Sequence, residues 1–132
     1  MDIVAALFTD TFNLRTVEGP ATRIDLSGVF FSMASPSPVP VTIEPHLMVL
    51  IRCRPNEPGN GVLEVSFVDS SSGQDVEIAK NMSPFTVDPG KFTYRLVRAQ
   101  LAFDSYTTIE ARCRIADGHV TAVPLTLLPP VG

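Results

Sequence analysis

The chain has 132 residues, the length of one domain, and 45% of them are hydrophobic, which is typical of a globular fold with its own core. Its formal net charge is −4, from 10 Lys and Arg against 14 Asp and Glu, which argues against a nucleic-acid partner bound through net positive charge. The apolar start lacks the basic flank of a signal peptide, and no run approaches the roughly 18 apolar residues that span a bilayer. We therefore expect a single cytoplasmic domain over residues 1–132, with no membrane partner.

Proline and glycine divide the chain into segments that are too short for helices. There are 12 Pro and 8 Gly, no stretch shows a clean 3.6-residue period, and the segments are rich in β-branched and aromatic residues. The pattern predicts an all-β fold, a two-sheet antiparallel β-sandwich of about seven to eight strands, Ig-like or jelly-roll-like, with a barrel as the alternative. The predicted strands cover residues 3–12, 23–33, 46–54, 62–69, 75–79, 91–101, 107–116 and 119–128.

Two long links separate these strands. Residues 34–45 contain alternating prolines, which lack the N–H groups that a central strand needs. We predict a stiff, extended crossover between sheets, and a proline-rich ligand segment is the alternative interpretation. Residues 80–90 are predicted to form the second link.

The third and fourth predicted strands both alternate between apolar and polar residues, and a turn-rich loop joins them. We predict that they form a hairpin. The register that aligns both apolar faces pairs Cys53 with Leu63, Ile51 with Val65 and Val49 with Phe67, and it places Arg52 opposite Glu64.

The last two strands meet at Asp117-Gly118. A two-residue turn there would leave the apolar residues of the two strands on opposite faces. A loop that is one residue longer, with a left-handed glycine, corrects this, so we predict a longer, bulged turn. That turn places Ile109, Ala111 and Cys113 on the same face as Val123, Leu125 and Leu127.

Several segments follow one another in a recognisable order: Phe-Thr-Asp at 8–10, Ile-Asp-Leu-Ser-Gly at 24–28, the proline-rich crossover, Val-Asp-x-x-x-Gly at 68–73, and a closing strand pair from Tyr106. This layout resembles an uncharacterised family of small bacterial β-sandwich proteins, a domain of unknown function. The resemblance spans most of the chain, although Ser105 stands where that family has glycine. It implies a β-sandwich and assigns no activity or site.

The residues offer little for catalysis. A nucleophile needs a nearby base and an orienting group, whereas His46 and His119 both lie at predicted strand ends. Cys113 with His119 is the only candidate reactive pair, and the inward orientation expected for Cys113 disfavours it. In a reducing cytoplasm Cys53 and Cys113 are expected to be thiols, with a disulfide as the alternative. We predict no catalytic residue and no enzyme.

Metal and cofactor motifs are weak. The two cysteines are far apart in sequence, and no glycine-rich loop opens a helix. The acidic segment 69–75 could suggest calcium, but it lacks the ligand pattern of a helix-loop-helix site, and a β-turn is favoured. No metal site and no cofactor are predicted.

One repeated tripeptide is a candidate contact site. Each copy has an inward thiol between two outward guanidinium groups, which suit carboxylate or phosphate recognition. If both strands lie in one sheet, the four arginines share a surface, and pairing with Glu64 and Glu110 is the alternative. The candidate anion or partner contacts are Arg52, Arg54, Arg112 and Arg114.

The composition points to an apolar surface that something covers. Only 18% of residues are charged and the mean hydropathy is +0.22. Met48, Leu50 and Val68 lie on faces otherwise expected to be solvated, so they are the candidate interface. We predict a non-enzymatic interaction or assembly module, self-associating as a homo-oligomer or binding another protein.

The alternative function is a sandwich that binds a small ligand such as a sugar, a lipid or an anion. Aromatic side chains would supply the contacts, although most are expected in the core. The candidates are Phe30, Phe31, Phe85, Phe92, Tyr94 and Tyr106.

Overall fold

The computed structural model describes residues 1–19 and 21–132, and these residues form eleven strands. Nothing in this part of the chain forms a helix that could reach across a bilayer. The strands are β1 (Asp2–Val17), β2 (Ala21–Phe30), β3 (Ser32–Ala34), β4 (Val41–Ile43), β5 (His46–Arg52), β6 (Asn60–Asp69), β7 (Val76–Thr86), β8 (Phe92–Arg98), β9 (Leu101–Phe103), β10 (Thr108–Ile115) and β11 (Thr121–Leu128).

The described strands form three sheets. The orders are β2-β1-β5-β8, β3-β11-β10-β6-β7 and β4-β9. The all-β prediction is confirmed, but there are eleven strands in three sheets instead of seven to eight in two, and β3 pairs with β11 in parallel. The chain changes sheets at Phe31, so the predicted strand 23–33 is in fact β2 and β3.

One core cluster joins the sheets. Successive strand residues face opposite sides, so the alternating apolar residues of β5, β6, β10 and β11 meet in the interior. Leu101 and Phe103 of the two-stranded sheet belong to the same cluster. Its largest fully buried members are Phe8, Phe67, Leu47, Ile51, Leu63, Leu101, Ile109, Leu125, Leu127, Val49 and Val65.

The predicted register of the last hairpin is confirmed. Ile109 pairs with Leu125, and Ala111 pairs with Val123, so their apolar side chains share the core face. Gly118 N donates to Ile115 O at 3.0 Å within the turn. The left-handed residue of this turn is Ala116, at φ 50°, whereas the sequence predicts a glycine in that conformation.

The predicted hairpin of the third and fourth strands is wrong. β5 pairs with β1 and β8, whereas β6 pairs with β7 and β10. The two strands therefore belong to different sheets, and both contribute apolar residues to the same core cluster. Arg52 consequently lies in a different sheet from Glu64.

The two predicted links differ in outcome. Residues 34–45 do lead from the five-stranded sheet towards the four-stranded one, with the short strand β4 inside them. Residues 80–90 are not a loop throughout, because β7 continues to Thr86 and pairs Lys80 with Ser66 and Pro84 with Val62. Since β7 is an edge strand, Pro84 removes no N–H that a further strand would need.

The β1–β2 hairpin bends sharply. Its ladder is interrupted at Asp10 and Gly28, and Gly28 has a φ of +69°. The buried Thr9 hydroxyl lies 2.9 Å from the carbonyl oxygens of both Thr11 and Ser27, which ties the two strands together at this point. We call residues 10–17 and 21–27 beyond the bend the arm.

The arm folds back over the four-stranded sheet. Ile24 of the arm pairs with Leu14, and Leu50 of β5 pairs with Ala5, so the two pairs are nine residues apart along β1. A straight strand would separate them by about 30 Å. Ile24 and Leu50 nevertheless line the same groove, which requires the arm to return across the sheet.

Candidate interaction surface

The outer face of the four-stranded sheet, which points away from the core, is apolar. Leu47, Val49 and Ile51 face the core, so the residues between them face outwards. Cross-strand neighbours extend the apolar character over three strands. Met48 lies between Leu7 and Leu96, and Leu50 lies between Ala5 and Tyr94.

A groove of about 570 Å³ opens on this face beneath the arm, and we call it the arm groove. Phe92 is 63% exposed and Val4 is 53% exposed, although both are large and apolar. A cluster of such side chains on one face marks an interaction site more often than single exposed residues do. The groove is lined by Val4, Thr22, Ile24, Leu50, Phe92, Thr93 and Tyr94.

The outer face of the five-stranded sheet is polar by contrast. Glu64 pairs with Lys80 at 3.1 Å and with Arg114 at 3.4 Å. Hydrogen bonds from Lys80, and to a smaller extent from Arg114, hold the pKa of Glu64 below its usual range. This face therefore carries its own ion pairs, and Val62 and Met82 are exposed beside them.

The three candidate interface residues have different environments. Leu50 is partly exposed and lines the arm groove, as an interface residue should. Met48 is only 1% exposed and Val68 only 5%, so the expectation that both lie on solvated faces is wrong. Met48 faces outwards between Leu7 and Leu96, which leaves it buried within the chain itself on the side over which the arm folds.

The four candidate arginines lie in two separate groups. Arg52 ends β5 in one sheet, whereas Arg112 and Arg114 belong to β10 in the other, so they do not share a sheet surface. Their contact with an anion or a partner stays a prediction. Each one has an acidic partner within the chain.

Those ion pairs are local. Asp2 accepts hydrogen bonds from Arg52 at 2.7 Å and from Arg54 at 3.2 Å, and these bonds, that of Arg52 first, lower the pKa of Asp2. Arg112 pairs with Asp75 at 2.8 Å and with Glu110 at 3.1 Å. Hydrogen bonds to Asp75 first, and then to Glu110, raise the pKa of Arg112.

Sequence reasoning missed the importance of Phe92. Most aromatic residues were expected in the core, yet only Phe85 among the six candidates is buried there, with Phe30 packed against the cluster. The alternation in β8 gives a misleading signal: Phe92 and Tyr94 line the outer groove, whereas Arg95 is aligned with the core-facing Val49. The Arg95 guanidinium reaches out of the edge and donates to Pro84 O at 2.9 Å.

The cysteines are free and buried. Cys113 lies in β10 and Cys53 follows β5, in different sheets. Burial raises the pKa of the Cys113 thiol to about 12, so the thiol is protonated at neutral pH and is a poor nucleophile. His119 lies exposed beyond the β10–β11 turn.

The acidic segment 69–75 forms a turn. Gly73 N donates to Ser70 O at 3.1 Å, and Asp69 accepts a hydrogen bond from Ser71 N at 2.9 Å. Asp75 is engaged by Ser70 and by Arg112. Within residues 1–19 and 21–132 no group of three His, Cys, Asp or Glu side chains is placed to hold a metal ion.

Comparison with known proteins adds no homology. No family model matches the chain, and no curated protein matches it in sequence. The resemblance to small bacterial β-sandwich proteins therefore stays a prediction, and the function must be argued from the surface itself.

Proposed function

We propose that this protein is a non-enzymatic interaction module that self-associates through the outer face of its four-stranded sheet. The observation that supports this is the arm groove, where Phe92 and Val4 are more than half exposed beside Leu50. Covering such a cluster removes apolar area from water, which is the main favourable term in association. The opposite sheet face carries ion pairs of Glu64, Arg112 and Arg114 between its exposed apolar side chains, which include Met82.

The architecture supports such a role. We infer a sandwich of the Ig-like or jelly-roll-like kind, because a single core cluster contains residues of both larger sheets. The two free thiols agree with a reducing cytoplasmic setting. The strands that carry the outer face pack against the core on their other side, and a binding surface is held more precisely on such strands than on loops.

The experiment is light scattering of the purified chain over a roughly hundredfold dilution, because oligomer mass depends on concentration by mass action. We expect a multiple of the 14.3 kDa chain mass at the concentrated end. The variant Phe92→Ser removes the most exposed large apolar residue of the groove. Exposed at 63%, Phe92 offers an interface roughly 100 Å² of apolar area, or about 2–3 kcal/mol, so its loss should weaken association on the order of a hundredfold for each copy of Phe92 that the interface buries.

Met82→Ser is the matched control. Met82 is 55% exposed and lies opposite Glu64 on the polar sheet face, so its replacement should leave the mass unchanged. A monomer at every concentration would contradict self-association. Equal effects of Phe92→Ser and Met82→Ser would contradict the choice of face.

A second candidate function is binding of a small, largely apolar ligand, and the size of the arm groove favours it. Its volume of about 570 Å³ falls within the usual range for ligand sites. Thr22, Thr93 and Tyr94 add hydroxyl groups to a lining that is otherwise apolar. A monomeric chain that binds a fluorescent apolar probe, and loses that binding in Phe92→Ser, would favour this candidate over self-association.

A further inference from the structure

β2 has the least protected edge of the two large sheets. Within the described residues it pairs only with β1, and its ten residues include no proline. The other edges are less available: β3 has three residues, β7 contains Pro84, and Arg95 of β8 bridges to β7. A long unpaired edge is a template for another strand, so β2 is the edge best able to pair with a strand of another chain.

Gly28 sets the length of strand available for pairing. Its φ of +69° interrupts the extended backbone and the ladder with β1. The uninterrupted part of β2 is therefore residues 21–27. Its midpoint is Ile24, which is the natural position of a two-fold axis if the strand pairs with its own copy.

The charges on β2 select the same register. In an antiparallel pair centred on Ile24, Arg23 lies opposite Asp25 of the second copy, and symmetry repeats this pair. A pair centred on Arg23 would place two guanidinium groups opposite each other, and one centred on Asp25 would oppose two carboxylates. Opposite charges stabilise a cross-strand pair and like charges destabilise it.

The surroundings of Arg23 favour the same pairing. It faces Arg15 across the β1–β2 ladder, and the carboxylate of Asp25 is held by Arg15 at 2.6 Å. Among the described residues no salt bridge to Arg23 is formed. A second copy paired about Ile24 would supply the missing carboxylate.

We propose that two copies of this chain associate through their β2 edges, antiparallel and with the two-fold axis at Ile24. The two arms then form a continuous four-stranded sheet in the order β1-β2-β2-β1. Ile24 also lines the arm groove. The contact therefore places the Ile24 side of each copy's arm groove next to the two-fold axis. This contact rests on the proposed self-association, names a second copy as the partner, and adds an edge pairing of the arms to the contact proposed at the arm groove.

The other free edge of the arm is less suited. Pairing β1 with its copy about Leu14, the partner of Ile24 in the ladder, would set Asn13 opposite Arg15. That register creates no opposite-charge pair. Leu14 is therefore the matched control position for Ile24.

The first test exchanges the charges. Arg23→Glu places a carboxylate opposite Asp25 of the second copy at two symmetric positions, and Asp25→Arg opposes two guanidinium groups. Each single variant should raise the dimer dissociation constant about tenfold, measured by sedimentation velocity, since each converts two attractive cross-strand pairs into repulsive ones. The double variant Arg23→Glu/Asp25→Arg restores both pairs, so its dissociation constant should return to within about threefold of the parent value.

The second test locates the axis by disulfide formation. Directly opposed residues of an antiparallel pair have Cα atoms about 4.5–5.5 Å apart, within the range that a disulfide spans. Ile24→Cys should therefore form a covalent dimer on mild oxidation with diamide. Leu14→Cys should not, because about 14 Å, three strand spacings, separates the two copies of position 14. The parent chain gives the background, since Cys53 and Cys113 are buried.

The outcomes separate this contact from the proposed function. A chain that is monomeric at every concentration overturns both. A chain that dimerises, but with no response to Arg23→Glu and no cross-link at Ile24→Cys, overturns the β2 contact and leaves self-association standing. A double variant that stays folded and dimerises as weakly as the single variants contradicts the Arg23–Asp25 pair. Efficient cross-linking of Leu14→Cys would show that the two copies pair through β1 instead of β2.

Discussion

The bend of the β1–β2 hairpin makes Gly28 the position where a single methyl group should matter most. Gly28 has a φ of +69°, a conformation that residues with a side chain rarely adopt. A Cβ added there would lie 2.5 Å from Asp10 Oδ2, 2.9 Å from Asp10 Cγ and 3.0 Å from Asp10 Cβ. Gly28→Ala therefore combines backbone strain with crowding.

The two contributions can be estimated separately. Left-handed backbone costs a residue with a Cβ roughly 1–2 kcal/mol. The Asp10 carboxylate can rotate away, but its Cβ is fixed by β1, so the strands must separate slightly, at about 1 kcal/mol or more. The free energy of unfolding should therefore fall by about 2–3 kcal/mol, and with roughly 4 °C per kcal/mol at this chain length the Tm should fall by about 8–12 °C.

Gly73→Ala is the matched control, measured by the same thermal and denaturant unfolding. Gly73 has a φ of +86°, and nothing lies within 4 Å of an added Cβ, so only the strain applies. Its Tm should fall by about half as much as that of Gly28→Ala or less. Equal losses in the two variants would refute the role of Asp10, and no loss in Gly28→Ala would refute the bend itself.

Two further predictions concern titratable groups. With Cys53→Ala leaving Cys113 as the only thiol, the native chain should react very slowly with Ellman's reagent at about pH 8, because burial raises the pKa of Cys113 to about 12. Reaction should be complete in guanidinium chloride, and rapid native-state labelling would contradict the buried, protonated thiol. Hydrogen bonds from Arg112, and then from Ser70, lower the pKa of Asp75, so its carboxylate stabilises the fold above about pH 4, and this stabilisation is lost as the pH falls through the lowered pKa. The Tm of the parent should thus fall more between about pH 7 and pH 3 than the Tm of Asp75→Asn does. Parallel curves of Tm against pH for the two proteins would show that the Asp75–Arg112 pair contributes nothing to stability.

The sequence predicted the faces of strands better than their partners. Alternation places Val49 and Val65 inside correctly, because the period of a strand depends only on its own residues. It does not say which strand is adjacent, since strands of different sheets can show the same alternation and contribute to one core. The apparent Arg52–Glu64 match was equally uninformative, because Asp2 and Lys80 supply the actual partners.

Register was predictable where a turn is short. Asp117-Gly118 brings β10 and β11 together, so only one register places their apolar residues, such as Ala111 and Val123, on the same face. The candidate surface was only partly predictable, because burial of Met48 and exposure of Phe92 depend on a fold-back of the arm and on the edge position of β8. Neither leaves a local signature that propensity or periodicity could show.

The topology around β5 has a kinetic consequence. The pairs β1 and β2, β6 and β7, and β10 and β11 are neighbours in both the sequence and their sheets, whereas β5 pairs with β1 and β8, both distant in sequence. Closing long loops costs entropy before the contacts form, so the three hairpins should nucleate and β5 should dock after the rate-limiting step. Val49→Ala, in the middle of β5, should then accelerate unfolding while leaving the folding rate nearly unchanged, whereas Val65→Ala in β6 should slow folding. One of the two interior strands of the sheet that carries the interaction surface would therefore dock only after the rate-limiting step of folding.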